Sequence, residues 1–339
     1  MTAFEGEHLM VIDPRILITL LLSAVLSTAY AAPPPGKVLH VGMLENFREK
    51  FDADSVPLHR ALVESLREQG YVLGREFTLD HRSARGNPER LPELAAELVR
   101  LKVDVVLTTG DGPTRAAMAA TKTMPIIAIG VTDPVGTGIA ASLARPGGNV
   151  TGLAINATEI SAKRVQLLKE AVPNLSHVAV LWNSSLKAMQ LQYQQVETSA
   201  PKLGVQVLSL RVSSSDDFDK AFAAIRQSRS GGLIALFGPM RGNDLPRIAK
   251  FVTDNSIPTI FELGQGVLGG GLMEFGPDVV VLARLAGAYV DKIANGAKAA
   301  DLAIAEPTKF ELVVNLKTAK ALGIKIPQSI LLRADSVIE

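Results

Sequence analysis

The sequence predicts an α/β protein made of two doubly wound, Rossmann-like lobes with parallel sheets joined by a hinge. Three observations predict it. Short apolar runs alternate with amphipathic helices from Val38 onward, and repeated βα units imply parallel sheets with right-handed crossovers. The pattern restarts after about residue 155, so there are two such series of similar length. Composition agrees: of 339 residues, 47% are hydrophobic and only 5% aromatic, with 28 glycines and 19 prolines. That is enough apolar chain for two cores of ordinary size.

The elements follow in order. VLHVGML (38–44) reads as a buried strand, and PLHRALVESLREQG (57–70) as a helix whose inner face is Leu58, Ala61, Leu62, Ser65 and Leu66. EFTLDHR (76–82) is a strand. NPERLPELAAELVRL (87–101) is a helix with Asn87 as cap and Pro88 in its first turn. VDVVLTTG is a strand, PTRAAMAAT a helix, and MPIIAIG (124–130) and NVTGLA (149–154) are strands. The second series runs through the helix EISAKRVQLLKEAV (159–172) and the strands HVAVLWN (177–183), QVLSL (206–210), GGLIALFG (231–238), IPTIFE (257–262) and GLMEFG (271–276). A helix over 276–296, begun by Gly276 and Pro277, and a strand-helix unit over 307–327 come last. A late return of the chain to an earlier lobe implies several crossovers and a hinge. The expected division is 38–152 plus 276–308 for the first lobe and 153–275 plus 309–339 for the second.

The N-terminus carries a separate signal. Arg15 precedes an apolar stretch from Ile16 to Leu26, and Ala29-Tyr30-Ala31 has the small-x-small form of a cleavage site. Residues 1–31 therefore read as a secretory signal peptide and 32–37 as a spacer. The apolar stretch is short of the roughly 20 residues a membrane span needs. Cleavage removes Glu5, Glu7, Asp13 and Arg15, three acids and one base, and takes the net charge from +1 to +3. The product is expected to be periplasmic and soluble.

Charge and motifs exclude several classes. Lys+Arg is 35 against Asp+Glu 34, which is no polybasic footprint for nucleic acid. There is no cysteine, hence no thiol catalysis, disulfide, lipoprotein anchor or Cys-based metal site. The five histidines, His8, His40, His59, His81 and His177, have no metal-binding spacing, and no GxSxG elbow or GxxxxGK[ST] loop is present. No catalytic residue, cofactor or metal is assigned, and capture of a small molecule is favoured over its conversion.

Ligands of doubly wound sheets sit beyond the carboxyl ends of the strands. In TTGDGPTRAA (108–117), Gly110 and Gly112 permit a sharp turn, Pro113 suits the first helical turn, and the helix start should offer amides to an anion. Thr109, Gly110, Thr114 and Arg115 are the candidates to hold a carboxylate. Asp111, Asp133 and Glu262 are candidates to accept from an ammonium or hydroxyl. Trp182 and Phe237 are candidates to cover an apolar part, with Asn46 and Asn183 at the same strand ends. Asp133 equally suits a turn before Pro134, and Trp182 equally suits the core.

RLPELAAELVRLKVDVVLTTG, MPIIAIGVTDPVGTGIAASLARPGGNVTGL, SAKRVQLLKEAVP and PTKFELVVNLKTAKALGIKIPQSILLRADSVIE strongly resemble the periplasmic substrate-binding proteins of ABC importers, the family that includes tryptophan-binding-type proteins. The resemblance spans Val38 to Glu339. It implies a type I periplasmic-binding fold with three crossovers, hinge closure on a small ligand, and an ABC permease and its ATPase as partners. It places TTGDGPT at the family's ligand-carboxylate loop, GVTDPV at the next ligand-facing loop, and Trp182-Asn183 at the first loop of the second lobe. One departure is the charged first loop, LENFREKFDADSVP, where relatives are small and polar. The expectation is a monomeric solute-binding protein for an amino acid or related carboxylate. An exported sensor and an exported two-domain enzyme are the alternatives.

Overall fold

The computed structural model describes residues 37–155, 157–236, 244–262, 266–307 and 309–339. The expected signal peptide, nearly all of the spacer and Phe237 lie outside the described residues.

The first series is β1 (Leu39–Glu45), α1 (Pro57–Glu68), β2 (Phe77–Ser83), α2 (Leu91–Arg100), β3 (Val105–Thr109), α3 (Asp111–Ala120), β4 (Ile126–Val131) and β5 (Val150–Ala154). All five strands are parallel, in the order β2-β1-β3-β4-β5. Alternation along β1 sends Val41 and Met43 into one core and Leu44 into the opposite one, so helices cover both faces. The buried stripe of α1 is the expected one with His59 added. Asn87 caps as expected, its Oδ1 accepting from the Glu89 amide at 3.2 Å. The helix expected over 87–101 begins instead as a 3-10 turn, Pro88–Arg90. Pro92 has no N–H to return to the Pro88 carbonyl, so one continuous α-helix cannot form there.

The second series is α4 (Ala157–Ala171), β6 (His177–Asn183), α5 (Lys187–Ser199), β7 (Gln206–Val212), α6 (Phe218–Ser228), β8 (Gly232–Ala235), α7 (Asp244–Asp254), β9 (Thr259–Phe261) and β10 (Met273–Pro277). There follow α8 (Val279–Ala294), β11 (Phe310–Asn315), α9 (Leu316–Ala321), α10 (Gln328–Leu331) and β12 (Ser336–Ile338). The second sheet reads β12-β11-β10-β9-β8-β6-β7. Its β7-β6-β8-β9-β10 part repeats the topology of the first sheet. One expectation needs correction: β11 pairs antiparallel to β10, with Gly276 opposite Glu311. Gly276 and Pro277 end β10 rather than start α8. The helix is capped by Asp278, which accepts from the Val280 and Val281 amides at 2.9 and 3.1 Å.

Between β10 and β11 the chain leaves the second sheet. Leu282, Ala283, Ala286, Tyr289 and Val290 of α8 share one core with Leu58, Ala61, Leu62 and Leu66 of α1 and with β1. The two helices meet closely at Gly287, where an added Cβ would lie 2.5 Å from Ser65 Oγ. That hydroxyl donates to the Arg284 carbonyl at 2.7 Å. The chain then returns through β11 and α9, whose Leu312, Val314 and Ala319 join the core of β6 and α5. Three chain segments therefore connect the two sheets: β5 to α4, β10 to α8, and the stretch before β11. No helix among the described residues is long and apolar enough to cross a membrane.

Candidate ligand-binding site

In the first sheet the strand order reverses at β1 and β3, and the loops leaving these neighbours diverge to opposite faces. The crevice so formed is where a doubly wound sheet binds its ligand. Glu45 ends β1 and Thr109 ends β3. Glu45 is 2% exposed. Its Oε2 accepts from Nε2 of His59 and Nε2 of His81, both at 2.9 Å. His59 lies on the buried stripe of α1, and His81 continues the Phe77, Leu79 face of β2. The Asp52 amide donates to His59 Nδ1 at 3.0 Å. An amide only donates, so the His59 proton sits on Nε2 and points at Glu45. Nε2 thus has no lone pair for a metal, and no metal-binding group of His, Asp and Glu occurs among the described residues. Burial by itself would raise the Glu45 pKa, but the two ring donors outweigh it and bring it down to about 2. Phe51 roofs the cluster, stacked on His59 at 4.4 Å between ring centres.

The next loop is built by Gly110, whose φ of 77° suits glycine. It is held by its amide, which donates to the Ile129 carbonyl at 2.8 Å. Thr114 is fully buried. Its hydroxyl lies 2.7 Å from both Thr108 Oγ1 and the Gly110 carbonyl, and its amide returns to the Gly110 carbonyl at 3.4 Å. Both groups serve the turn itself. Arg115 is exposed and donates to the Thr137 carbonyl. Asp111 accepts from the Thr132 amide at 3.2 Å through Oδ2, while its buried Oδ1 has no hydrogen-bond partner. Burial pushes its pKa up to about 6, against the pull of the Thr132 amide and the Arg115 charge. Asn46 is 4% exposed and its Oδ1 likewise has no partner. Two contacts thus mark this rim, Asp111 with Thr132 and Thr109 Oγ1 3.5 Å from Glu45 Oε1. It is rich in acceptors.

Asp133 sits at φ 38° and closes a turn, its Oδ1 accepting from the Gly136 amide at 2.9 Å. In the second lobe, Asn183 Oδ1 accepts from the amide and hydroxyl of Ser185 at 3.0 and 2.6 Å. Trp182 is 5% exposed and packs in the core under α5. Tyr193 stacks on it at 4.5 Å, Arg211 lies 5.8 Å from its ring centre, and its Nε1 donates to Ser209 Oγ at 2.9 Å. The structure does not bring Trp182 to the first-lobe rim residues. Glu262 is buried beside Arg164, with 3.5 Å between Oε1 and the guanidinium. Arg164, fully buried, also donates to the Phe275 carbonyl at 2.9 Å and to Ser161 Oγ at 3.1 Å.

The sequence alone does not single out Glu45, His59, His81 or Arg164 as site residues, although Glu45 lies at a strand end. A signal for His81 existed: strict alternation places it on the side of Phe77 and Leu79 in β2, as the third member of that series. Its meeting with Glu45 and His59 joins three elements, which no local pattern encodes.

Residues 54–338 match the ABC transporter substrate-binding proteins. The chain belongs to that family. It is 27% identical to the tyrosine-binding protein of Clostridioides difficile over 273 residues, 78% of this chain and 76% of the relative. Among solved structures, a conserved domain protein from Vibrio cholerae superposes with a TM-score of 0.81 at 27% identity, covering 89% of this chain and all of that one. An ABC domain from Streptococcus pneumonia in complex with L-Trp superposes equally well, TM-score 0.81 over the same shares, at 24% identity. It shares the fold.

Proposed function

We propose that this protein captures an amino acid or a close relative of one between the carboxyl ends of its two sheets and presents it to an ABC permease and its ATPase. The observation that carries this is the first-lobe rim. An ionised Glu45 and the buried, unpartnered acceptors of Asn46 and Asp111 lie at the strand ends where β1 and β3 part. Buried acceptors call for donors, and an amino acid brings an ammonium group. Kinship to a tyrosine-binding protein supports the same ligand class. The part of the second sheet that repeats the first sheet's strand order supplies the opposing edge, and the three connecting segments act as the hinge. A ligand closes such a hinge only if it binds the closed form better than the open one. The N-terminal signal supports export to the periplasm. Nothing in the rim needs turnover, so the protein binds, as a monomer, and releases its ligand unchanged.

The test is thermal unfolding of the purified protein against amino acids, small carboxylates and sugars. A ligand at about 100 times its Kd adds about 2.7 kcal/mol, several degrees in Tm. The reading expects the shift with amino acids, and a loss of it in Asp111→Ala. A shift with sugars alone would overturn the ligand class.

A further inference from the structure

The carboxylate of Glu45 is held unequally. Oε2 accepts two bonds of 2.9 Å. Oε1 has Thr109 Oγ1 at 3.5 Å and Arg48 Nε at 3.7 Å, both longer than a charge-assisted bond. A carboxylate meant only to satisfy two imidazoles would have no reason to sit at the strand end with one oxygen turned to the half-exposed Thr109. The surroundings are also built rather than incidental. His59 is completely buried and locked in one tautomer by the Asp52 amide. The loop supplying that amide is tied down by Asp52 Oδ1, which accepts from the Asp54 and Ser55 amides at 3.0 Å each. The same loop exposes Phe47, 43% accessible, in a chain poor in aromatics.

We infer that Glu45, positioned by His59 and His81, is the residue that selects for a primary ammonium on the ligand, its Oε1 taking the N–H that distinguishes an amino acid from the same acid without its amine. The inference rests on the amino-acid reading above and names the group that enforces it. Glu45 acts by contact; His59 and His81 are positioning residues. Both donate to Oε2, which leaves Oε1, on the side of Thr109 at the end of β3, the less engaged oxygen of the anion. A ligand lacking the amine would leave that oxygen desolvated with only the long contacts from Thr109 and Arg48, and such a mismatch discriminates strongly.

The test pairs each amino acid with its desamino analogue: L-tyrosine with 3-(4-hydroxyphenyl)propionate, and L-tryptophan with indole-3-propionate. Affinities are read by titration calorimetry on the whole protein at neutral pH. The wild type is expected to prefer the amine-bearing member of at least one pair by about 30-fold or more, the size of effect seen when a buried charge pair loses one partner. Glu45→Gln should abolish that preference by weakening the amino acid alone, leaving the desamino acid unchanged. His81→Gln should reduce the preference in part. A Glu45→Gln effect equal on both members, or no effect on either, overturns the inference. Equal binding of both members by the wild type also overturns it, and this needs no variant to fold; the capture reading then survives. Failure of the wild type to bind any of the four compounds, with a sugar binding instead, removes the amino-acid reading and this inference with it.

Discussion

Glu45 ends β1 and Asp111 follows the neighbouring strand β3, and the two have opposite titration behaviour. Asp111 has its pKa raised to about 6, so the folded state holds its proton more tightly than the unfolded chain does. Its contribution therefore favours folding at low pH and is lost as pH rises from about 4 to 6. Asp111→Asn, which keeps an acceptor for the Thr132 amide, should raise stability at pH 7 by about 1–3 kcal/mol and flatten that part of the profile. Urea denaturation across pH 4–8 reads both. Glu45 has its pKa lowered to about 2. Its contribution is present above about 4.5, the ordinary glutamate value, and disappears as pH falls toward 2. Acid unfolding of wild type against Glu45→Gln should show the curves converging in that window. The sequence made the Asp111 loop legible through its glycines and its place after a strand. It did not show that Thr114 turns inward, because that depends on a hydroxyl pairing with Thr108 inside the turn.

Elements were read well wherever period and caps agreed. The stripe of α1 and the Asn87 cap were both evident from spacing. The antiparallel β11 was not, since strand direction depends on which lobe the chain has just visited. Equally hidden was the closeness of α1 and α8, more than two hundred residues apart in sequence. That contact makes its own prediction. Gly287→Val would put a branched side chain against Ser65, where even a Cβ would come within 2.8 Å of another carbon. Overpacking of this kind costs about 1–3 kcal/mol. A lowered urea midpoint with unchanged slope is expected, with partial recovery when Ser65→Gly is added.

At the scale of the whole molecule, two sheets with a shared five-strand topology are joined by three connections, and the second lobe carries a buried charge cluster. Arg164 lies midway along α4, buried with Glu262 and near Glu274, whose pKa burial pushes up to about 7 with Glu311 adding to the rise and Arg164 opposing it. Arg164→Leu would leave carboxylates buried without their counter-charge, at a cost of about 3–5 kcal/mol, seen as a fall in Tm that is steeper at pH 8 than at pH 6. The two-lobed plan was legible because each lobe repeats its own βα rhythm; the Arg164 cluster was not, because it assembles from α4, β10 and the end of β9. The single tryptophan has one more consequence. Stacked on Tyr193 and shielded from water, Trp182 should emit at short wavelength and give a nearly silent optical signal when a non-fluorescent ligand closes the lobes without disturbing that packing. It should brighten or redden only when the second lobe itself melts. A fluorescence titration would then report the integrity of one half of the molecule, and a flat trace would accompany tight binding.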